Sequence, residues 1–156
     1  MIKEFTIEGI ENANKCFDNL ETELLNSREP LSKSAGFMKE EALRNFPAEG
    51  GVFEENWPPL KPSTIRRKEK AGYGDQPMMV RTGRLKNSFI AEEPKVSAGI
   101  GKVDVMNPVP YAKSHQSGVG RLPRRVLLKF AKRQVDTITK TFFDWVVDKT
   151  EKSFNS

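Results

Sequence analysis

The sequence predicts an α+β fold in which an N-terminal helical hairpin and a long C-terminal helix pack on a small, mainly antiparallel sheet. Three observations predict it. Apolar residues step by three and four from Ile10 to Phe46 and again after residue 126, the period of an amphipathic helix. Between these regions, short apolar runs are broken by proline and glycine, the pattern of brief strands joined by turns. A chain of 156 residues is long enough for one good core and too short for a second. The expected organisation is one domain over 1–156, with a helical part at 9–46, a loop and sheet part at 48–125 and a C-terminal helix at 126–152.

The opening IKEFTI, with Ile2, Phe5 and Ile7, reads as a short strand. After Gly9, the positions Ile10, Ala13, Phe17, Leu20 and Leu24 share one helical face as far as about Asn26. Ser27 can cap a second helix that has Pro30 in its first turn, an apolar stripe of Leu31, Ala35, Met38, Ala42 and Phe46, and Pro47 as its stop. Trp57 and Leu60 are large apolar groups set among prolines that disfavour helix and central strand, so they are expected to anchor a loop. Pro62 and Ser63 open a short basic helix that Gly72 ends. In VRTGRLKNSF, Gly83 marks a turn, and the runs SFIAEEP, KVSAGIG and KVDVMNP read as strands of a meander. Leu128, Ala131, Val135, Ile138, Phe142 and Val146 then carry the last helix, whose beginning at 126–130 is also compatible with a non-helical start.

Composition narrows the chemistry. Hydrophobic residues at 37% and charged residues at 30% describe a chain that folds. No apolar run approaches the roughly 20 residues that span a bilayer, so no membrane role is expected. One cysteine, Cys16, and one histidine, His115, provide no nitrogen and sulfur set for zinc, and no cofactor or small-molecule substrate is expected. His115 has Ser114 and Ser117 as its nearest hydroxyls in sequence, but neither lies in a nucleophile elbow, so no catalytic residue is assigned. Glu93-Pro94-Lys95 with Asp75 matches the carboxylate and lysine pattern of some nucleases only formally, since Pro94 interrupts the strand such a pair needs. Gly99-Ile100-Gly101 and Gly118-Val119-Gly120 lack the lysine and hydroxyl of a phosphate loop.

Charge is the strongest signal. Residues 1–56 hold 6 basic and 12 acidic side chains, a net of −6, whereas residues 57–135 hold 17 and 5, a net of +12. Between Tyr111 and Val135 there are 7 basic residues and no acidic one. An acidic partner follows, either the phosphates of DNA or the carboxylates of another protein or subunit. The side chains expected to face it are Arg66, Arg67, Arg81, Arg84, Arg121, Arg124, Lys129 and Arg133. A stand-alone nucleic-acid-binding protein using 111–133 is one reading of this pattern.

Three stretches carry a resemblance: Trp57-Pro58-Pro59-Leu60 followed by Ser63-Thr64; Arg81-Thr82-Gly83-Arg84-Leu85 with Asn87-Ser88; and Tyr111-Ala112, His115-Gln116, Gly118, Leu122-Pro123 and Arg125. In this order the chain resembles the phage virion morphogenesis family, the tail-completion and head-tail joining proteins of Mu-like phages and prophages. It departs where that family commonly has Arg-Pro-Phe-Leu, which is here Arg125-Val126-Leu127-Leu128. The resemblance implies a structural protein and no enzyme. It further implies a homo-oligomeric ring, for instance a hexamer, that meets other tail or head-tail connector proteins, with DNA as another candidate contact. The place it implies is the bacterial cytoplasm during assembly and the tail end of the virion afterwards. Trp57, Leu60, Thr82, Gly83, Leu85, Tyr111, His115, Gln116, Gly118, Pro123 and Arg125 are the positions it marks as structural.

Overall fold

The structure is a computed structural model that describes residues 10–91, 95–97, 102–105 and 107–154. In chain order the elements are α1 (Ile10–Leu25), α2 (Arg28–Asn45), a 3-10 turn (Gly51–Phe53), α3 (Pro62–Lys70), α4 (Arg84–Ala91), β1 (Lys95–Ser97), β2 (Lys102–Asp104), α5 (Ala112–Ser117) and α6 (Lys132–Phe154). The expected strand in IKEFTI lies outside the described residues.

The predicted α+β class is corrected: the protein is helical, with helix over 60% of its described length. Among the described residues, strand is confined to one antiparallel ladder of three residues a side, pairing Lys95 with Asp104 and Ser97 with Lys102. So small a ladder cannot serve as the platform of a core. Of SFIAEEP, read as a strand, residues 88–91 instead end α4, and 92–94 lie outside the described residues. The steps from Leu85 to Ser88 and Phe89 place three buried side chains on one helical face, and that burial outweighs the strand preference of Phe89 and Ile90. α3 is the short basic helix expected after Pro62, and α5 falls within the region 48–125 expected to be loop and sheet.

The N-terminal hairpin is also corrected. Ser27 precedes α2 as expected, but its side chain makes no capping hydrogen bond, and its backbone (φ −73°, ψ 20°) stays close to helical. The contacts with α6 run in one continuous order, Cys16 with Ser153, Glu23 with Lys149 and Glu41 with Arg133, so the chain does not reverse here. Consequently α1 and α2 follow one another along α6, both antiparallel to it. At the far end of α6, Cys16 Sγ donates to Ser153 O, Phe17 meets Phe154 edge-on at 6.0 Å, and Glu23 pairs with Lys149. At the near end, the buried Glu41 of α2 accepts from Arg133 and, at 2.8 Å, from Gln134 of α6, and from Arg44 at 2.9 Å. A helix of 23 residues, about 35 Å long, has room for both neighbours.

The core gathers at the C-terminal end of α2. Phe46 meets Trp57 and Phe89 edge-on at 5.7 and 6.2 Å, among Ala42, Met78, Leu85, Val109, Ala112 and Leu127. The last helix starts at Lys132 and not at Val126, because the backbone of 126–128 is bonded elsewhere. Val126 O accepts from Trp57 Nε1 at 2.8 Å and from Asn45 Nδ2 at 2.9 Å. The Gln116 amide accepts from Leu127 and Leu128 N–H and donates to Leu128 O, as a neighbouring strand would. Among the described residues no helix is long and apolar enough to cross a membrane.

Candidate functional site

The three sequence stretches that are far apart in the chain converge on one cleft of about 580 Å³. Leu60, Thr64, Arg67 and Lys68 come from the loop before α3 and from α3 itself. Met79, Arg81, Thr82, Arg84 and Leu85 come from the entry to α4. Tyr111, His115 and Arg125 close the third side. Five cationic side chains and a histidine therefore line the cleft, and none of its lining residues is acidic. The first turn of α4 opens onto it as well, and the amide groups of a first turn have no acceptor within their own helix, which adds positive potential.

Local sequence explains how each group is held. Gly83 takes φ +71° immediately before α4, with its carbonyl accepting Asn87 N–H at 2.7 Å, while Thr82 Oγ1 accepts Arg84 N–H at 3.5 Å. Arg81 lies over the Tyr73 ring at 6.0 Å. Arg125 is the anchor of the floor: it is buried, and its guanidinium donates to Pro58 O at 2.9 Å and to Met78 Sδ at 3.1 Å. Burial lowers its pKa and Glu49 partly restores it, but a guanidinium remains charged across the physiological range. Arg125→Lys would keep the charge and lose the planar fork, so we expect a loss of about 1.5–3 kcal/mol in urea unfolding, the scale of a charged hydrogen bond.

His115 belongs to α5, not to a loop. Tyr111, one turn earlier and exposed, meets its ring edge-on at 6.0 Å. Nδ1 is buried without a hydrogen-bond partner, and no hydroxyl, thiol or carboxylate among the described residues bonds the ring. Burial first, and then the Arg125 charge, hold its pKa below the ordinary 6.5. The folded protein thus resists protonating a group that the unfolded chain protonates readily. Stability contributed by the neutral ring is present above pH 6.5 and is lost as the pH falls from 6.5 toward the lowered native value. Thermal unfolding from pH 7 to 5 should therefore show a shallower pH slope for His115→Gln than for the parent, and equal slopes would refute this account.

The remaining expected residues fall into two groups. Trp57 is core rather than cleft, Leu85 belongs to the core and also lines the cleft, Gln116 clamps the chain beneath it, and Pro123 is exposed. Gly118 (φ +72°) ends α5, where a Cβ would lie 2.8 Å from Arg124 Cβ. Of the eight expected partner-facing cations, Arg67, Arg81 and Arg84 line the cleft. Arg66 and Arg121 are exposed away from it. Arg124 and Lys129 pair with Glu55, and Arg133 with Glu41, of their own chain. Sequence reasoning does not single out Thr64, Lys68 and Met79 as lining residues. Lys68 had a usable signal, since it follows Thr64 by four residues on α3. Among the described residues no three histidine, cysteine or acidic side chains cluster to hold a metal.

The residues of the three sequence stretches thus build a cationic cleft on a small helical protein. The sequence profile of the phage virion morphogenesis family matches residues 9–146, and the chain belongs to that family. Neither a curated protein nor a solved structure was found to match it. Membership supports a structural or assembly role in the phage particle.

Proposed function

We propose that the chain is a structural subunit that completes the tail or joins tail to head, acting in a ring of like copies and without catalysing a reaction. The observation that carries this reading is the cleft: residues from all three family stretches meet there, and what they supply is cationic recognition, with no activated nucleophile beside His115 among the described residues. The segregated charge of the sequence supports the ring, because an acidic face meeting a basic one head to tail is a heterologous contact that closes when the rotation permits.

The test is deletion of the gene in an inducible phage. Mass spectrometry should find the chain in purified particles at a fixed copy number, and electron microscopy of the deletion should show heads and tails made but unjoined or ill-terminated. Particles that lack the chain, or normal particles in the deletion, would overturn the reading. The stand-alone nucleic-acid-binding reading is weakened by Arg124, Lys129 and Arg133, which spend their charge on carboxylates of the same chain.

A further inference from the structure

We propose that the cleft receives the outer face of α1 from a second copy of the chain. This inference rests on the ring reading above and names the two surfaces that meet. On α1, Phe17, Asp18, Glu21 and Leu25 are separated by one, three and four residues and share a face. Phe17 and Leu25 are 56% and 71% exposed, and Asp18 and Glu21 between them are exposed too, with no cation among the described residues pairing their carboxylates. The stripe is thus two carboxylates flanked by two apolar groups.

The cleft has the matching chemistry. Arg67, Arg81 and Arg84 have no carboxylate partner among the described residues, and guanidinium groups pair with carboxylates in a bidentate fork. Beside them, Leu60, Met79 and Leu85 offer apolar wall to Phe17 or Leu25. Within one copy the two surfaces cannot satisfy each other, because α1 packs along α6 whereas the cleft is built from α3, α4 and α5. A nucleic-acid strand fits less well. A phosphate backbone tracks cations spread along an open groove, whereas these arginines share one concavity with aliphatic walls.

The experiment uses the full chain in sedimentation velocity at low and high salt. The parent should sediment as an assembly that dissociates as salt rises. Arg81→Glu/Arg84→Glu, and separately Asp18→Lys/Glu21→Lys, should each weaken self-association by about tenfold or more, since like charges then face one another. All four positions are exposed, and circular dichroism would confirm that both variants stay folded. Mixing the two variants restores opposite charges at every contact and should recover the assembly. A monomeric parent overturns both the ring reading and this inference. An assembling parent whose variants assemble equally well overturns the inference alone. So does an Arg81→Glu/Arg84→Glu variant that still assembles but no longer binds a labelled 20-base-pair duplex, which would assign the cleft to phosphate.

Discussion

Trp57→Ala is expected to destabilise the protein by about 3–5 kcal/mol, the range for removing a large aromatic from a packed core. Trp57 is 5% exposed, and its ring closes the core against Phe46. Its indole N–H is one of two donors on Val126 O, the carbonyl that keeps 126–128 out of α6 and under the cleft. Truncation therefore removes apolar contact and loosens the segment carrying Arg125. Against a total stability of about 5–15 kcal/mol, this places the variant near unfolding at 37 °C. Trp57→Phe separates the two contributions: it keeps most of the packing and loses the hydrogen bond, for an expected loss of about 1–2 kcal/mol. Urea titration followed by circular dichroism measures both. A Trp57→Ala loss below about 1 kcal/mol, outside the range for such truncations, would show that the loop is not anchored as described.

How much of this fold is legible in the sequence depends on element length. α1, α2 and α6 are legible because three or more turns repeat the 3.6-residue period, as Leu31, Ala35, Met38 and Ala42 do in α2, and α3 is legible from Pro62 and Ser63 at its start and Gly72 at its end. α4 and α5 have eight and six residues, too few for a period to stand out. In α4, Phe89 and Ile90 also favour a strand when burial is unknown. Asn26–Ser27 suggests a chain reversal for a related reason. Serine before proline is a good cap in general, but whether the chain reverses depends on the backbone of Ser27, which packing on α6 decides.

The site is legible in its parts and not in their meeting. Arg81, Thr82 and Gly83 are recognisable as one unit, and Tyr111 with His115 as another, but their approach to α3 is a tertiary fact. The sorting of the cations is tertiary too. Nothing near Arg124, Lys129 or Arg133 in sequence announces Glu55 or Glu41, some 69 to 92 residues away. A charge run reads as a binding face until its partners are known.

Gly50→Ala should rank with the core substitution, at roughly 3–4 kcal/mol, because two separate obstacles combine there. Gly50 has φ +97°, where an L side chain is strained by about 1–2 kcal/mol. A Cβ there would also lie 2.2 Å from Glu55 O and 2.7 Å from Trp57 Cδ1, backbone and a buried ring that cannot both yield. Gly120→Ala is the control. It shares the positive φ, at +69°, but its Cβ meets nothing within 4 Å, so only the conformational strain applies, about 1–2 kcal/mol. The difference between the two variants in urea unfolding isolates the clash, and equal losses would mean that the loop 49–57 is free to move aside. The effect should also reach the cleft. Gly50 is bracketed by Glu49, whose carboxylate supports Arg125 and accepts Met78 N–H at 3.4 Å, and by Glu55, which holds Arg124 and Lys129. A loop displaced by one methyl group would therefore disturb the anchoring of Arg125, so Gly50→Ala should weaken the self-association we propose along with stability, whereas Gly120→Ala should leave it unchanged.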